Sequence, residues 1–145
     1  VTAIEHFAAS LAAPRCVIVI DKSLDIGRAA NAAAVLALTV GQRHPLLVGA
    51  PLIDAAGQRH PGLIPFGIAV LGGTTEEISA LRARAGDAGC DVVGFPIQGQ
   101  QTTSYESFLE AVSMIETGKL AYAGLALIGE KKPVSKLVAN FGLLK

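Results

Sequence analysis

Two polar stretches hold most of the side chains that could do chemistry. The first is Lys22 to Asn31, KSLDIGRAAN, which leads into a long alanine-rich run. It reads as the turn after a strand and the first turns of a helix. A cation in the first turn of a helix opposes the macrodipole, at a cost of about 0.3–1 kcal/mol. Arg28 is therefore expected to meet an anion. Asp25, three residues back, is within reach and is the simpler partner. The functional alternative is a bound phosphate or carboxylate, held by Arg28 and free helix N–H groups. Asn31 lies three residues on and shares the face of Arg28. A buried amide there needs a partner, from a neighbouring loop or from a ligand. Lys22 joins these as a ligand-binding candidate.

The second stretch is Gln98 to Tyr105. Gln98, Gln100, Gln101, Thr102, Thr103 and Tyr105 form the densest uncharged polar cluster in the chain. Amides and hydroxyls in a loop before a helix can read a polar ligand, or can cap the helix and satisfy the loop. Other chemistry is poorly supplied. His6, His44 and His60 lack a companion acid and nucleophile, and His44 and His60, each before a proline, read as surface residues. There is no GxSxG elbow, Walker loop or GxGxxG. No Cys/His pair has zinc spacing, so no metal or cofactor is expected, and no catalytic residue is assigned. Gly129-Glu130-Lys131-Lys132 reads as a turn with solvated lysines.

The elements that would position these residues follow from apolar patterning. Cys16 to Ile20 is a continuous β-branched run, as in a strand buried on both faces. Asp25 is the expected N-cap of the next helix, with Ser23 as the alternative. That helix should run to about Val40 and stop at Gly41. Leu46 to Ile53 and Leu63 to Leu71 read as two further strands, with Pro65 at the start or edge of the second. Thr74 and Glu77 have capping-box spacing, as do Thr103 and Glu106, and each pair should open a helix. Asp91 to Phe95 and Tyr122 to Ile128 complete the strands. A short terminal helix is expected over Val134 to Asn140. Strands alternating with helices argue for one α/β domain over 1–145, with residues 1–14 as an N-terminal helix or arm. The expected architecture is three layers, α/β/α, around a mostly parallel (mixed) sheet of about four to five strands. Ligands on such sheets lie beyond the carboxyl ends of strands, where both polar stretches fall.

Composition narrows the classes. Hydrophobic residues make up 51% of the 145 and charged residues 17%, against about 25% charged in an average domain. So apolar a chain is expected to cover a further face, most simply as a homodimer. No apolar run approaches the roughly 18–20 residues that span a bilayer. The N-terminus has no basic region ahead of an apolar core. Cys16 and Cys90 read as buried thiols, in keeping with a reducing cytoplasm. The net charge is zero, but Lys119, Lys131, Lys132, Lys136 and Lys145 gather at one end. Such an end is a solvated surface, an acidic face's partner in a dimer, or a weak RNA-binding patch.

Four stretches together resemble a bacterial family catalogued only as a domain of unknown function (number 2000). They are VIVIDKSLDIGRAANAAAVLALTVG from Val17, DAAGQRHPG from Asp54, DVVGFPIQGQQTTSYESF from Asp91 and YAGLALIGEKKPVSKLVANFGLLK from Tyr122. The resemblance implies a fold similar to type II peptidyl-tRNA hydrolase. That enzyme has glycine–lysine entering its first helix, followed by alanine–alanine–glutamine. Here Gly27-Arg28-Ala29-Ala30 carries arginine instead, and Asn31-Ala32 stands where glutamine is expected. Val93-Gly94-Phe95-Pro96 lacks the enzyme's later loop aspartate, so its acid–base or positioning role has no occupant. The favoured expectation is a binding module for a small anionic or nucleotide-like ligand. Hydrolysis of peptidyl-tRNA or a related ester, and a purely structural homodimer, are the alternatives.

Overall fold

A computed structural model describes Phe7 and residues 11–145. Most of the expected N-terminal helix or arm therefore lies outside the described residues. The fold is a mixed α/β domain whose five-stranded sheet has the order β5-β6-β1-β4-β7. Strand β1 (Pro14–Asp21) and strand β6 (Tyr122–Glu130) lie side by side near its middle. Between them in sequence come helix α1 (Ile26–Arg43), the short strands β2 (Leu52–Ile53) and β3 (Arg59–His60), and strand β4 (Ala69–Gly73). Helix α2 (Thr75–Asp87), strand β5 (Asp91–Pro96) and helix α3 (Tyr105–Ser113) follow. Helix α4 (Lys131–Leu137) and strand β7 (Gly142–Leu143) end the chain.

The two-residue alternation of β1 divides the core. Cys16, Ile18 and Ile20 face α1, which buries Ala29, Ala32, Leu36 and Val40 against them. Val17 and Val19 face the other way, toward Ile78, Leu81 and Ala85 of α2 and Val134 of α4. Helices thus cover both faces, which is why β1 and β6 are apolar throughout. Alanines let α1 approach closely. A Cβ at Gly124 would lie 2.8 Å from Ile20 Cδ1 and 2.9 Å from Leu36 Cδ1.

The expectation of a mostly parallel sheet is corrected. Among the described strands only β1 and β4 pair in parallel, while β1–β6, β5–β6 and β4–β7 are antiparallel. Continuous apolar runs report burial on both faces; they carry no information on strand direction. The expected strand over Leu46–Ile53 is also corrected. Pro45–Leu47 is a single helical turn, and only Leu52–Ile53 is extended, in a separate hairpin with β3. Pro45 and Pro51 each lack the N–H a ladder needs.

Helix ends moved for local reasons. Helix α1 runs through Gly41 to a C-cap at His44, because Gly41 has open space around it and nothing forces a left-handed turn. Ser104, not Thr103, caps α3 by accepting from Ser107 N–H, and the helix stops at Ser113. Helix α4 begins at Lys131, ahead of the expected Val134, and ends at Leu137, and Gly142 opens strand β7. Among the described residues no helix is long and apolar enough to cross a membrane.

Candidate functional site

Sheet geometry brings the two polar stretches together. Strand β5 is antiparallel to β6, and β6 is antiparallel to β1, so β5 and β1 point the same way. Their carboxyl termini leave from the same end of the sheet. The chain after β1 enters α1, and the chain after β5 makes a tight helical turn, Ile97–Gln100, before α3. Helix α1 packs over β5 and β6, which carries its first turns to that second loop.

Local hydrogen bonds set each approach. Asp21 Oδ1 accepts from the Ser23 N–H at 2.9 Å and from its hydroxyl at 2.8 Å, closing the turn out of β1. Asp25 is the N-cap of α1, its Oδ1 accepting from the Arg28 N–H at 2.9 Å. The caps of α2 are equally local, with Thr74 and Glu77 making both bonds of a capping box.

Gln100 joins the two segments. Its Nε2 donates to the Arg28 carbonyl at 2.8 Å and to Asn31 Oδ1 at 3.1 Å. Asn31 therefore finds its partner in a neighbouring loop. Arg28, Gln100 and Gln101 line an open cleft of about 480 Å³ with Leu24 and Ile97. The guanidinium of Arg28 makes no ion pair with any described residue. Asp25 is committed to the backbone N–H of Arg28, so it caps the helix without neutralising the side chain. The cleft offers one cation, two carboxamides and two apolar walls. It can hold an anion attached to a flat or apolar body. Among the described residues its lining contains no carboxylate, imidazole or thiol that could act as a general base.

The other sequence candidates fall elsewhere. Thr102 and Tyr105 line a separate recess of about 200 Å³ with Thr103 and Ser104. Thr102 donates its hydroxyl to the Gln98 carbonyl at 2.8 Å, a loop-closing bond. Gln98 Oε1 is buried with no hydrogen-bond partner among the described residues. Lys22 does not line the cleft. Bonds from Thr74 hold the Glu77 carboxyl below its usual range, and Lys22 adds a smaller electrostatic share, which places its charge beside α2.

One cluster escaped the sequence reading. His44 is not a surface residue; its side chain is fully buried at the end of α1. Its Nε2 lies 2.5 Å from Asp91 Oδ2, and Arg43 grips the same carboxylate through Nε at 3.0 Å and Nη2 at 2.7 Å. Burial pushes the Asp91 carboxyl up, but the hydrogen bonds from Arg43 and His44 and their charges prevail and hold it low. Only Arg43, a cation in the last helical turn, was a local hint; its partner lies in another element. His60 is exposed as expected and pairs with Asp54 at 2.8 Å. Both cysteines are free. Burial pushes the Cys16 thiol up to about 11, so it stays protonated and is no nucleophile at neutral pH.

Residues 14–145 match a family described as "Protein of unknown function (DUF2000)". No curated protein matches the chain. Among solved structures, the chain is similar to that of Atu0240, a protein of unknown function from Agrobacterium tumefaciens. The TM-score is 0.81 at 18% identity, over 90% of this chain and 96% of that one. At that identity the likeness speaks for the fold alone.

Proposed function

The chain belongs to the DUF2000 family, and on that premise we propose that it binds a small anionic, nucleotide-like ligand in the cleft beside Arg28. The observation that carries this is a guanidinium with no ion pair among the described residues, on a cleft of about 480 Å³. Asp25 leaves that charge free, and Gln100 holds the loop against α1. Charge-assisted hydrogen bonds contribute about 1.5–3 kcal/mol, so Arg28→Ala should weaken binding by roughly tenfold or more. The probes are AMP, inorganic pyrophosphate and uncharged adenosine, titrated by NMR. AMP should bind better than adenosine, and Arg28→Ala should remove that preference without changing the melting temperature. Equal binding of AMP by wild type and variant, or no anion binding at all, sinks the proposal.

Kinship of this fold with type II peptidyl-tRNA hydrolase is part of the same reading, supported by the order of strand, turn and small-residue helix. Hydrolysis of an ester ranks second, because the cleft lining offers no general base. Self-association is a further part. Residues 29–42 carry no charge, yet Leu38 on the outer face of α1 is 78% exposed. An uncharged apolar helix face of this kind suits a second copy of the chain. Sedimentation at micromolar concentration should show a dimer, and a monomer there removes this part.

A further inference from the structure

The outer face of α1 is patterned more closely than its lack of charge requires. Gly27, Asn31, Ala34, Leu38 and Gly41 are all exposed, and their spacing alternates between four and three residues. That is a heptad seam, the pattern by which one helix packs along another. We infer that α1 pairs antiparallel with α1 of a second copy across a two-fold axis, and that the partner's Gln42 completes the anion site at Arg28. The pairing rests on the Arg28 site and the self-association proposed above, and it specifies which faces meet and what each copy lends the other.

Side-chain size sets the register. With Leu38 opposite the partner's Ala34 and Asn31 opposite the partner's Gly41, each larger seam residue meets a small one. A two-fold axis repeats the same pairs with the copies exchanged. The glycines leave room for this. A Cβ at Gly41 would meet nothing within 4 Å, and one at Gly27 would meet only Asp25 Oδ1, at 3.7 Å. Val35, on the flank of the seam, is 37% exposed and meets its own copy near the axis. Arg28 and Gln42 lie seven positions to either side of Val35 on that flank. The same axis therefore brings the partner's Gln42 to Arg28.

Charge favours a second copy over a foreign helix. Arg28 sits at the positive pole of its own helix, and an antiparallel partner sets a negative pole beside it. Arg43, the cation of the last turn, is turned away, since its Nε and Nη2 hold Asp91 at 3.0 and 2.7 Å. The carboxamide of the partner's Gln42 is then free to donate to an anion held by Arg28. Within one chain Gln42 cannot do so, because fourteen residues of helix separate it from Arg28 by about 21 Å.

The test uses the full chain, with sedimentation as one readout and AMP titration as the other. Leu38→Arg changes an exposed side chain and should turn the dimer into a monomer. Gln42→Ala should stay a dimer and weaken AMP binding by about threefold to tenfold, the loss of one hydrogen bond. Arg28→Ala and Gln42→Ala chains, mixed and allowed to exchange, should recover wild-type affinity at some sites, because each mixed dimer holds one intact site. A Leu38→Arg variant that remains a dimer, unchanged AMP binding by Gln42→Ala, or no recovery on mixing overturns the inference and leaves self-association and the Arg28 site standing. A wild-type monomer overturns it together with self-association. A wild-type dimer that binds no AMP overturns it together with the anion site.

Discussion

Replacing Asp91 with alanine is expected to cost about 3 kcal/mol of stability and to lower the melting temperature by roughly 6–12 °C. Asp91 ties the end of α1 to the start of β5 through three contacts, two from Arg43 and one from His44. Its removal leaves the fully buried His44 ring without a hydrogen bond from either nitrogen. It also leaves the Arg43 charge unpaired. Arg43 is 32% exposed, so water screens part of that loss, and the effect lies at the low end for a buried pair. The pH dependence has a definite sign. The folded carboxyl is held below its ordinary value of 3.8. The stabilisation is therefore full above about pH 4 and is lost as the pH falls below that, through the lowered folded value. Thermal unfolding of wild type and Asp91→Asn between pH 2 and 7 checks this. The gap between them should be widest at neutral pH and should narrow below about pH 4. A melting temperature for Asp91→Ala within 2 °C of wild type would rule out the clamp as a stabilising feature.

Gly99→Val is expected to cost about 2 kcal/mol, in the range for overpacking a filled site, and to abolish AMP binding at the Arg28 cleft. Gly99 lies in the turn after β5, pressed on the edge of the Phe95 ring, and an added Cβ would fall onto Phe95 Cε1 and Cζ. Phe95 cannot yield easily, because it is buried and meets Phe108 edge-on at 6.1 Å. The turn must therefore move. Gln100 is the next residue, so it would lose its bonds to the Arg28 carbonyl and to Asn31. Gly118→Ala is the matched control, since a Cβ there meets nothing within 4 Å. Calorimetric unfolding and an AMP titration of both variants read the two effects. Wild-type stability in Gly99→Val would show that the Phe95 contact does not constrain the loop. A stable loss of binding in the control would show that the effect is not specific to this turn.

Much of the site was legible because its determinants are local. Asp25 as N-cap, the Thr74–Glu77 capping box and the buried thiol of Cys16 each depend on residues within a few positions or on burial alone, whereas Cys90 is only half-buried. The apolar runs of β1 and β6 announced strands covered on both faces. Asn31 announced the need for a partner, since an amide on an alanine-rich helix cannot be left unmet. Gln100 as that partner was not legible, because the bond crosses 69 positions. The same holds for His44. A histidine before proline looks like a loop residue until Asp91, 47 positions away, is brought to its ring.

The class of the domain, the caps of its first two described helices and the two polar stretches that could hold a site follow from residue order alone. These rest on hydrophobic period and short-range hydrogen bonding, both written in neighbouring residues. The antiparallel central pairing, the clamp on Asp91 and the set of polar residues that share a cleft emerge when the chain is folded. Strand direction and side-chain partnership depend on how distant segments meet. A burial pattern records that a residue is covered, but not by what.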